Sequence, residues 1–535
     1  MKTKVTKAFR KAILILSTIL FVLIFTCFMI MLLNVFIFGL KNFSLSSFDF
    51  KSFIKICSYT LLQSILSTLI SLILGFCAAY YISLKKVRFL KFVDFFSAVP
   101  LCISAVIICL AYINIFGING LFNKLLVNIL HIRKAPFTFL YSFFGVIFIQ
   151  GFYNFPLVTK NVCNAIDNKS FIQEDAARIL GAGEAKIFFK ITLPSLTSSI
   201  INSLIPIFIF CYFSFIIVLM FASVGNTTLE VSVFQFSRKP STFNLASFYA
   251  LTESVIALLL FYILNKIDKK YDSNKDFYLE ERKEKTFYTS PLKFIDYVFI
   301  TLFILLFIFC FLLPLISIPV NSYNIKTVTS IFRSSGFYTC LLNTILLGAV
   351  TSFLTTLLSM TFCVFSRIKK IKLSRLVSIL PMCVSSIIIG FAIIFTVRKG
   401  NVFYLILCQS LLLFPFSARI LFPPLQKISD EIINSSLLLS GSYTETIFRV
   451  IIPYCKKGIL TSLGLCFALS AGEASLPLVL SIRNFEVLSQ YIYRLASNYR
   501  LSQANLCAFI LMIICCAFYS VANDSFKTFG KGEIK

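Results

Sequence analysis

Two acidic side chains of this 535-residue sequence lie within apolar stretches, where an ionisable group is unusual. One is Glu473, at the end of residues 469–473 (LSAGE), and the other is Glu253. A charged side chain inside a membrane is costly, so such a residue commonly lines the path of a solute or ion. We therefore predict that Glu473 lines a translocation path. A hydrogen bond between packed helices, or a position near the membrane surface, is the alternative for Glu473 and the favoured interpretation for Glu253.

Residue types that catalyse reactions or bind metals are otherwise scarce. The sequence has 17 cysteines without a CxxC pair, most of them in apolar stretches, and one histidine, His131. This pattern favours cysteines as small buried hydrophobic residues over a zinc site or redox chemistry. The sequence GxxxxGK[ST], with which a P-loop binds nucleotide phosphates, is also missing. We expect a protein that is not an enzyme and that binds no metal or cofactor itself.

One motif has a spacing that suits docking to another protein. It combines an acid, two small residues, a glycine and an Ile-x-Leu-Pro sequence: Asp175, Ala176, Ala177, Gly181, Ile191, Leu193 and Pro194. Small side chains allow a helix face to be approached closely, Gly181 permits a turn with positive φ, and Pro194 suits the first turn of a helix. The motif predicts a helix, a turn and a second helix that fits a groove on a partner.

A related motif occurs 259 residues later without the acid. The residues at its corresponding positions are Asn434, Ser435, Ser436, Ser440, Val450, Ile452 and Pro453. Small residues are retained at the small positions, and Gly441 could supply the turn one residue later. We expect this second loop to bind its partner more weakly than the first loop, or with a shifted geometry.

The elements that must position these residues are long apolar segments. Hydrophobic residues make up 58% of the chain and charged residues 13%, against about 25% charged residues in soluble domains. A helix crosses the ~30 Å of membrane hydrocarbon with about 20 apolar residues. On this basis we predict an all-α polytopic membrane protein with about twelve spans. They lie near residues 12–40, 57–84, 92–115, 137–159, 199–221, 246–264, 294–320, 339–366, 376–397, 402–421, 459–480 and 505–522.

An internal repeat divides these spans into two groups of six. Residues 99–108 resemble 380–389, residues 150–160 resemble 409–419, and residues 189–194 resemble 448–453. An even number of spans in each copy gives both copies the same orientation, so they form a parallel repeat. We predict a first transmembrane domain at 1–264, a cytoplasmic linker at 265–293 and a second transmembrane domain at 294–535.

The distribution of basic residues predicts the orientation of the chain. Of its 50 Lys and Arg residues, 35 fall in the termini and loops on one side and 15 on the other. Cytoplasmic loops carry an excess of such residues, so both termini are expected in the cytoplasm. The first span lacks a small-residue cleavage site and is expected to remain as a signal anchor. These loop residues account for the net charge of +28, so we expect contact with membrane lipid and none with nucleic acid.

The first motif and the repeat together resemble the permease subunits of binding-protein-dependent ABC importers. The motif is similar to the EAA loop of that family at every spaced position, with Asp175 in place of the usual Glu. Residues 153–156 (YNFP) and 469–473 resemble the branch that contains the ferric-iron and thiamine importers. Permeases of that branch likewise carry both transmembrane domains in one chain.

This resemblance implies a type I importer fold and a set of partners. A separate dimer of ABC ATPase subunits would bind ATP and Mg²⁺ and engage both EAA-type loops. An extracytoplasmic binding protein would deliver the substrate, which the resemblance implies to be ferric iron, thiamine or a similar small solute. The location implied is the bacterial cytoplasmic (inner) membrane.

The main alternative is a twelve-helix secondary transporter of the major-facilitator type, which needs no ATPase. Those carriers usually have a Gly- and Arg-rich loop between spans two and three, whereas residues 83–88 here read SLKKVR. They also have a short loop between spans four and five, unlike the roughly 40 residues of this chain. A membrane enzyme would need clustered catalytic residues, which the sequence does not supply.

Overall fold

The computed structural model of the chain describes residues 2–41, 48–85, 87, 93, 103–132, 135–167, 171–222, 227–272, 294–369, 380–440 and 442–529. Helices joined by short turns account for most of these residues, and no strand occurs among them. The predicted all-α fold is therefore confirmed.

The α-helices of the first half are α1 (Lys2–Lys41), α2 (Phe50–Ala79), α3 (Ala105–Phe116), α4 (Leu121–Leu130), α5 (Phe143–Asp167), α6 (Ile172–Ile179), α7 (Glu184–Ile187), α8 (Leu193–Tyr212), α9 (Ile216–Phe221), α10 (Leu229–Phe236) and α11 (Phe243–Asp272). Those of the second half are α12 (Phe294–Phe307), α13 (Leu313–Ser322), α14 (Ile325–Phe332), α15 (Ser335–Lys369), α16 (Ser386–Val397), α17 (Val402–Gln426), α18 (Asp430–Ser440), α19 (Tyr443–Thr446), α20 (Ile452–Tyr454), α21 (Lys456–Gly472), α22 (Ser475–Leu480), α23 (Leu488–Ser497) and α24 (Leu501–Phe529). Wider π-helical turns occur at Tyr80–Leu84, Phe188–Thr192, Ile308–Leu312 and Ile447–Ile451.

Helix α2 illustrates how these sequences pack. Its buried residues are small or polar, among them Thr60, Gln63 and Ser64, whereas Leu69 and Ile73 are exposed. A water-soluble helix has the opposite arrangement, with its apolar stripe facing the core. Small and polar residues between helices, with apolar residues outside, are typical of packing within a membrane.

Nine helical stretches among the described residues are long and apolar enough to cross a membrane. A tenth qualifies if Tyr443–Tyr454 and Lys456–Gly472, which meet at a bend of 71°, count as one broken span. Length and composition alone therefore identify nine or ten of the about twelve spans predicted from the sequence.

The two remaining predicted spans are helical but differ from a simple span. Helix α5 has 25 residues, yet Gln150 and Asn154 make it more polar, which is tolerated because both side chains are buried within the protein. Helix α16 has only 12 residues and follows the 3₁₀ turn Leu380–Cys383. All twelve predicted positions thus contain helix, and two of the predicted spans are irregular.

The two halves repeat the same features at an offset of 259 residues. The π-helical segments Phe188–Thr192 and Ile447–Ile451 occupy equivalent positions, and so do the breaks between α8 and α9 and between α21 and α22. The halves also exchange their first helices. Helix α1 packs on α11 of its own half and on α16 of the other, and α13 packs on α24 and on α3. This arrangement agrees with the predicted parallel repeat.

The predicted linker at 265–293 is described only at its start. Residues 265–272 continue helix α11, and residues 273–293 lie outside the described residues. The domain boundaries stay a prediction.

Candidate functional site

The first motif folds into a helix, a turn and a second helix, as its spacing predicts. Helix α6 ends in a Schellman turn, in which the N–H of Ala182 donates to the carbonyl of Ala177 and that of Gly181 to Arg178, both at 2.9 Å. Gly181 has a φ of 79°, a conformation that favours glycine. The predicted positive φ at Gly181 is therefore confirmed.

An ion network joins the two sides of this turn. The guanidinium of Arg178 contacts Asp175 on α6 and Glu184 on α7, each at 2.7 Å. Hydrogen bonds to Glu184, and then to Asp175, raise the pKa of Arg178 above its ordinary value. Asp175, the acid that the motif singled out, thus contributes to the geometry of the turn through Arg178.

Sequence reasoning missed Glu174, the buried residue beside Asp175. Its Oε1 accepts a hydrogen bond of 3.1 Å from the hydroxyl of Thr192. This contact links α6 to the π-helical segment Phe188–Thr192, which leads directly into α8. The signal in the sequence was a second acid next to Asp175, but only burial distinguishes their roles.

The remaining residues of the first motif lie near the same junction. Ile191 is in the π-helical segment, and Leu193 and Pro194 begin α8, with Pro194 in the first turn as predicted. Ala176 is exposed and Ala177 is half-buried. The structure therefore brings the whole motif into one compact unit at the end of α8.

The second loop has the same outline with different contacts. Ser436 donates a hydrogen bond of 3.0 Å to the hydroxyl of Thr446, and Pro453 lies in the first turn of α20. Ser440 is the last residue of α18. Gly441 lies outside the described residues, so the turn predicted there stays a prediction.

Polar contacts of the first loop are replaced by apolar ones in the second. At the positions of Glu174 and Thr192, the second loop has the buried residues Ile433 and Ile451. At the position of Arg178 it has Leu437. The two loops therefore reach one shape through different side-chain chemistry.

Each loop carries an exposed pair of large apolar side chains at its tip. Ile179 and Leu180 are 87% and 86% exposed, and the equivalent Leu438 and Leu439 are 87% and 90% exposed. All four lie at the end of the first helix of their loop. Since burying such a side chain contributes roughly 1.5–3 kcal/mol, these tips are suited to insertion into a groove.

The sequence placed Glu473 inside a continuous span, and the structure does not. It lies in the break between α21 and α22, where its Oε1 accepts hydrogen bonds from the N–H groups of Ser475 at 2.8 Å and Leu476 at 3.3 Å. From the position before the N-cap residue Ala474, the side chain therefore satisfies the first two N–H groups of α22. A break of this kind is tolerated at membrane depth where it lines a cavity or is enclosed by protein.

Two further acids are completely buried. Glu253, near the middle of the span Pro240–Ile263, and Glu230, in the first turn of α10, are both 0% exposed. None of their four carboxylate oxygens makes a hydrogen bond of ordinary geometry, although the hydroxyl of Ser385 lies close to Glu230. The packing hydrogen bond expected for Glu253 is therefore not found. Glu230 was missed because it falls between predicted spans.

No group of three or more His, Cys, Asp or Glu side chains among the described residues is arranged to hold a metal ion.

Known proteins share both halves of this arrangement. Residues 67–273 and 364–527 match the family described as binding-protein-dependent transport system inner membrane component, one match in each half. The thiamine transport system permease protein ThiP of Haemophilus influenzae is 20% identical over 473 residues, which cover 85% of this chain and 85% of ThiP.

Shorter relatives match a single region. PhnU of Salmonella typhi, a permease protein assigned to 2-aminoethylphosphonate transport, is 30% identical over 171 residues, which are 32% of this chain and 58% of PhnU. The sulfate transport system permease protein CysW of Synechocystis is 25% identical over 150 residues, which are 27% of this chain and 51% of CysW.

Proposed function

The chain belongs to the family of binding-protein-dependent transport system inner membrane components, and from this premise we propose that a separate ATPase drives import through it. It is a multi-pass permease subunit of the ABC importer family, with two fused transmembrane domains. Membership in this family supports an ATP-driven importer over the secondary-transporter alternative. Helices of both halves form the substrate path, and the loops around Gly181 and Ser440 receive the motion of the ATPase.

The exposed apolar tips carry this proposal. Ile179 with Leu180, and Leu438 with Leu439, are equivalent pairs that project from otherwise different loops. Retention of this one feature, while the surrounding contacts changed, indicates a surface that two similar partner subunits recognise. A partner can shift the balance between conformations only by contacting them differently. Each loop leads directly into the following helix, and this connection supplies a route by which the ATPase acts on the spans.

Three further parts of the proposal concern partners and location. The chain lacks a P-loop sequence, so the partner ATPase dimer binds ATP and Mg²⁺. A binding protein outside the membrane delivers the substrate. The location is the bacterial cytoplasmic (inner) membrane, with both termini and both loops in the cytoplasm.

Thiamine is the substrate that we propose. The support is ThiP, whose similarity extends over 85% of both chains. Ferric iron, which the sequence resemblance also implied, has no counterpart among the relatives described above. The shorter relatives act in transport of other small solutes and match one region each.

The test is ATP-driven uptake of radiolabelled thiamine by vesicles that contain the chain, its ATPase and its binding protein. Replacing Ile179 and Leu180 together by Ser should reduce uptake at least tenfold, because the tip then loses the apolar surface that fills the groove. The matched control replaces Ile129 and Leu130 by Ser, since this exposed apolar pair lies in a predicted outer loop. Unchanged uptake by the Ile179 and Leu180 variant, or uptake without any ATPase, would contradict the proposal.

A further inference from the structure

Glu230 lies near two other carboxylates, one from each half of the protein. Glu230 interacts electrostatically with Glu253 and Glu473. Helix α10, which carries Glu230, packs on α11, which carries Glu253, and on α16 of the other half. Helix α16 in turn packs on α22, which Glu473 caps. The carboxylates therefore lie where the two halves contact each other.

Glu230 and Glu253 lack the partners that normally accompany buried charges. Both oxygens of Glu253 are without a hydrogen bond. Those of Glu230 make none with ordinary geometry, although the hydroxyl of Ser385 lies close to them. No lysine or arginine of the described chain forms an ion pair with either residue or with Glu473. An unpaired buried carboxylate costs several kcal/mol. The site is thus suited to a positive group that the chain itself does not provide.

The fold does not require acids at these positions. The second half has Ser489 at the position of Glu230 and Met512 at the position of Glu253, 259 residues further along. It nevertheless builds the equivalent helices α23 and α24. The reverse holds for Glu473, whose equivalent in the first half is Ser214. Each half thus forms its helices without the acids of the other. Helix packing therefore does not explain why the carboxylates are present.

An aromatic surface adjoins the carboxylates. The hydroxyl of Tyr212 donates a hydrogen bond of 3.2 Å to the backbone carbonyl of Glu253. Its ring stacks on Phe208 at 5.7 Å between centroids and meets Phe213 edge to face at 5.1 Å. These rings line a pocket between the halves that also includes Met382. Aromatic faces combined with carboxylates are suited to organic cations, such as quaternary ammonium groups.

We propose that Glu230, Glu253 and Glu473 form a binding site for an organic cation on the path between the two halves. This inference rests on the proposed function, and it assigns the class of substrate that the path accepts. A ligand with a delocalised positive charge replaces the favourable electrostatic interactions with water that the carboxylates lose on burial. The aromatic rings contact the apolar surface of the ligand. Thiamine, with its permanently charged ring, belongs to this class, and a neutral solute of the same shape does not.

The experiment measures binding to the full chain in lipid nanodiscs without ATPase or binding protein. Tritiated thiamine is the probe, and choline and its neutral isostere 3,3-dimethylbutan-1-ol are the competitors. We expect choline, and not the alcohol, to displace thiamine. Glu230→Gln and Glu253→Gln should each weaken thiamine binding at least tenfold. Glu253→Asp, which keeps the charge, should retain most of the affinity.

Two controls separate this effect from loss of structure. Glu431→Gln removes an exposed acid outside the site, and Met512→Gln places the same amide at the position equivalent to Glu253. Both should bind thiamine like the wild type, and all variants should unfold at similar temperatures.

The inference is overturned if thiamine and choline do not bind, if the neutral alcohol competes equally, or if both glutamine variants retain full affinity. Displacement of thiamine by ferric citrate and not by choline would also overturn it, in favour of a metal cation. Because binding is measured on the chain alone, its failure leaves ATP-driven uptake to be judged separately. Intact binding without ATP-driven uptake would count against the proposed function and not against this site.

Discussion

Backbone conformation makes Gly181 different from its neighbour Gly183. A Cβ atom added to either glycine would have no other atom within 4 Å, so space does not distinguish them. Gly181 has a φ of 79°, however, whereas Gly183 has a φ of −69°. Side chains other than glycine are strained in the first conformation and relaxed in the second. Comparing the same substitution at the two glycines therefore distinguishes the effect of strain in the turn from the effect of a larger side chain.

We predict that Gly181→Val inserts into the membrane but loses uptake and the ATPase activity that the binding protein stimulates. The strain at positive φ amounts to about 1–3 kcal/mol, which shifts the loop away from its docking conformation. Gly183→Val should retain activity close to that of the wild type. Ser440→Val should have a smaller effect than Gly181→Val, because that loop has already diverged. Equal losses in the two glycine variants would refute the argument from φ.

Glu473 allows capping and charge to be tested separately. In Glu473→Gln, the remaining side-chain oxygen can still accept from Ser475 and Leu476, so assembly should be retained while uptake falls. Glu473→Ala loses the cap as well, and its stability should fall by a further ~0.5–2 kcal/mol. Uptake in vesicles and thermal unfolding measure the two effects. Uptake by Glu473→Gln at the wild-type level would assign the residue to capping alone.

Among the elements, the junction between each loop and the following span uses two kinds of contact. In the first half, Glu174 accepts a hydrogen bond from Thr192. In the second half, Ile433 and Ile451 occupy these positions within an apolar cluster. A hydrogen-bonded pair has a fixed geometry, whereas apolar side chains adapt to small movements. Both contacts hold the loop against the start of its span.

We predict that substitutions of Glu174 and Thr192 have coupled effects on the stability of the chain. Glu174→Ile should destabilise the chain by about 1–3 kcal/mol, because the buried hydroxyl of Thr192 loses its acceptor. Adding Thr192→Ile reproduces the pair of the second half and should recover most of the loss. Thermal unfolding of the single and double variants in detergent measures the coupling. The prediction fails if the double variant is no more stable than Glu174→Ile.

The whole molecule is a pseudo-symmetric assembly with chemically distinct halves. The exchange of α1 and α13 places a helix of each half against the other, so that each half contributes to the packing of its partner. The loops share a shape, but the buried acids do not follow the repeat. The molecule therefore combines similar coupling loops in both halves with a set of buried acids that differs between them.

The orientation of the molecule can be tested with reporter fusions. The excess of basic residues on one side predicts that fusions after Lys270 and at residue 535 both report the cytoplasm. A fluorescent protein fused at either site should fluoresce, and a phosphatase that is active only after export should be inactive at both. The first span serves as a control, since phosphatase fused in the loop that follows it should be active. Phosphatase activity at either of the two main sites would overturn the predicted topology.

The sequence alone determined the membrane location, the helical class, the repeat and the first loop. Each depends on features that are local or periodic. Runs of apolar residues must form helices in lipid because backbone groups need internal partners, and Gly181 and Pro194 restrict the backbone wherever they occur. The repeated motifs then located the two halves without knowledge of their contacts.

The tertiary structure alone decided which polar residues are buried and what they contact. Asp175 and Glu174 are neighbours in sequence, but one joins Arg178 in the turn and the other is enclosed against Thr192. Glu230 seemed to lie between spans, and it is buried because α10 folds back between α11 and α16. Burial depends on segments that are distant in sequence, so no local pattern could have placed these carboxylates together.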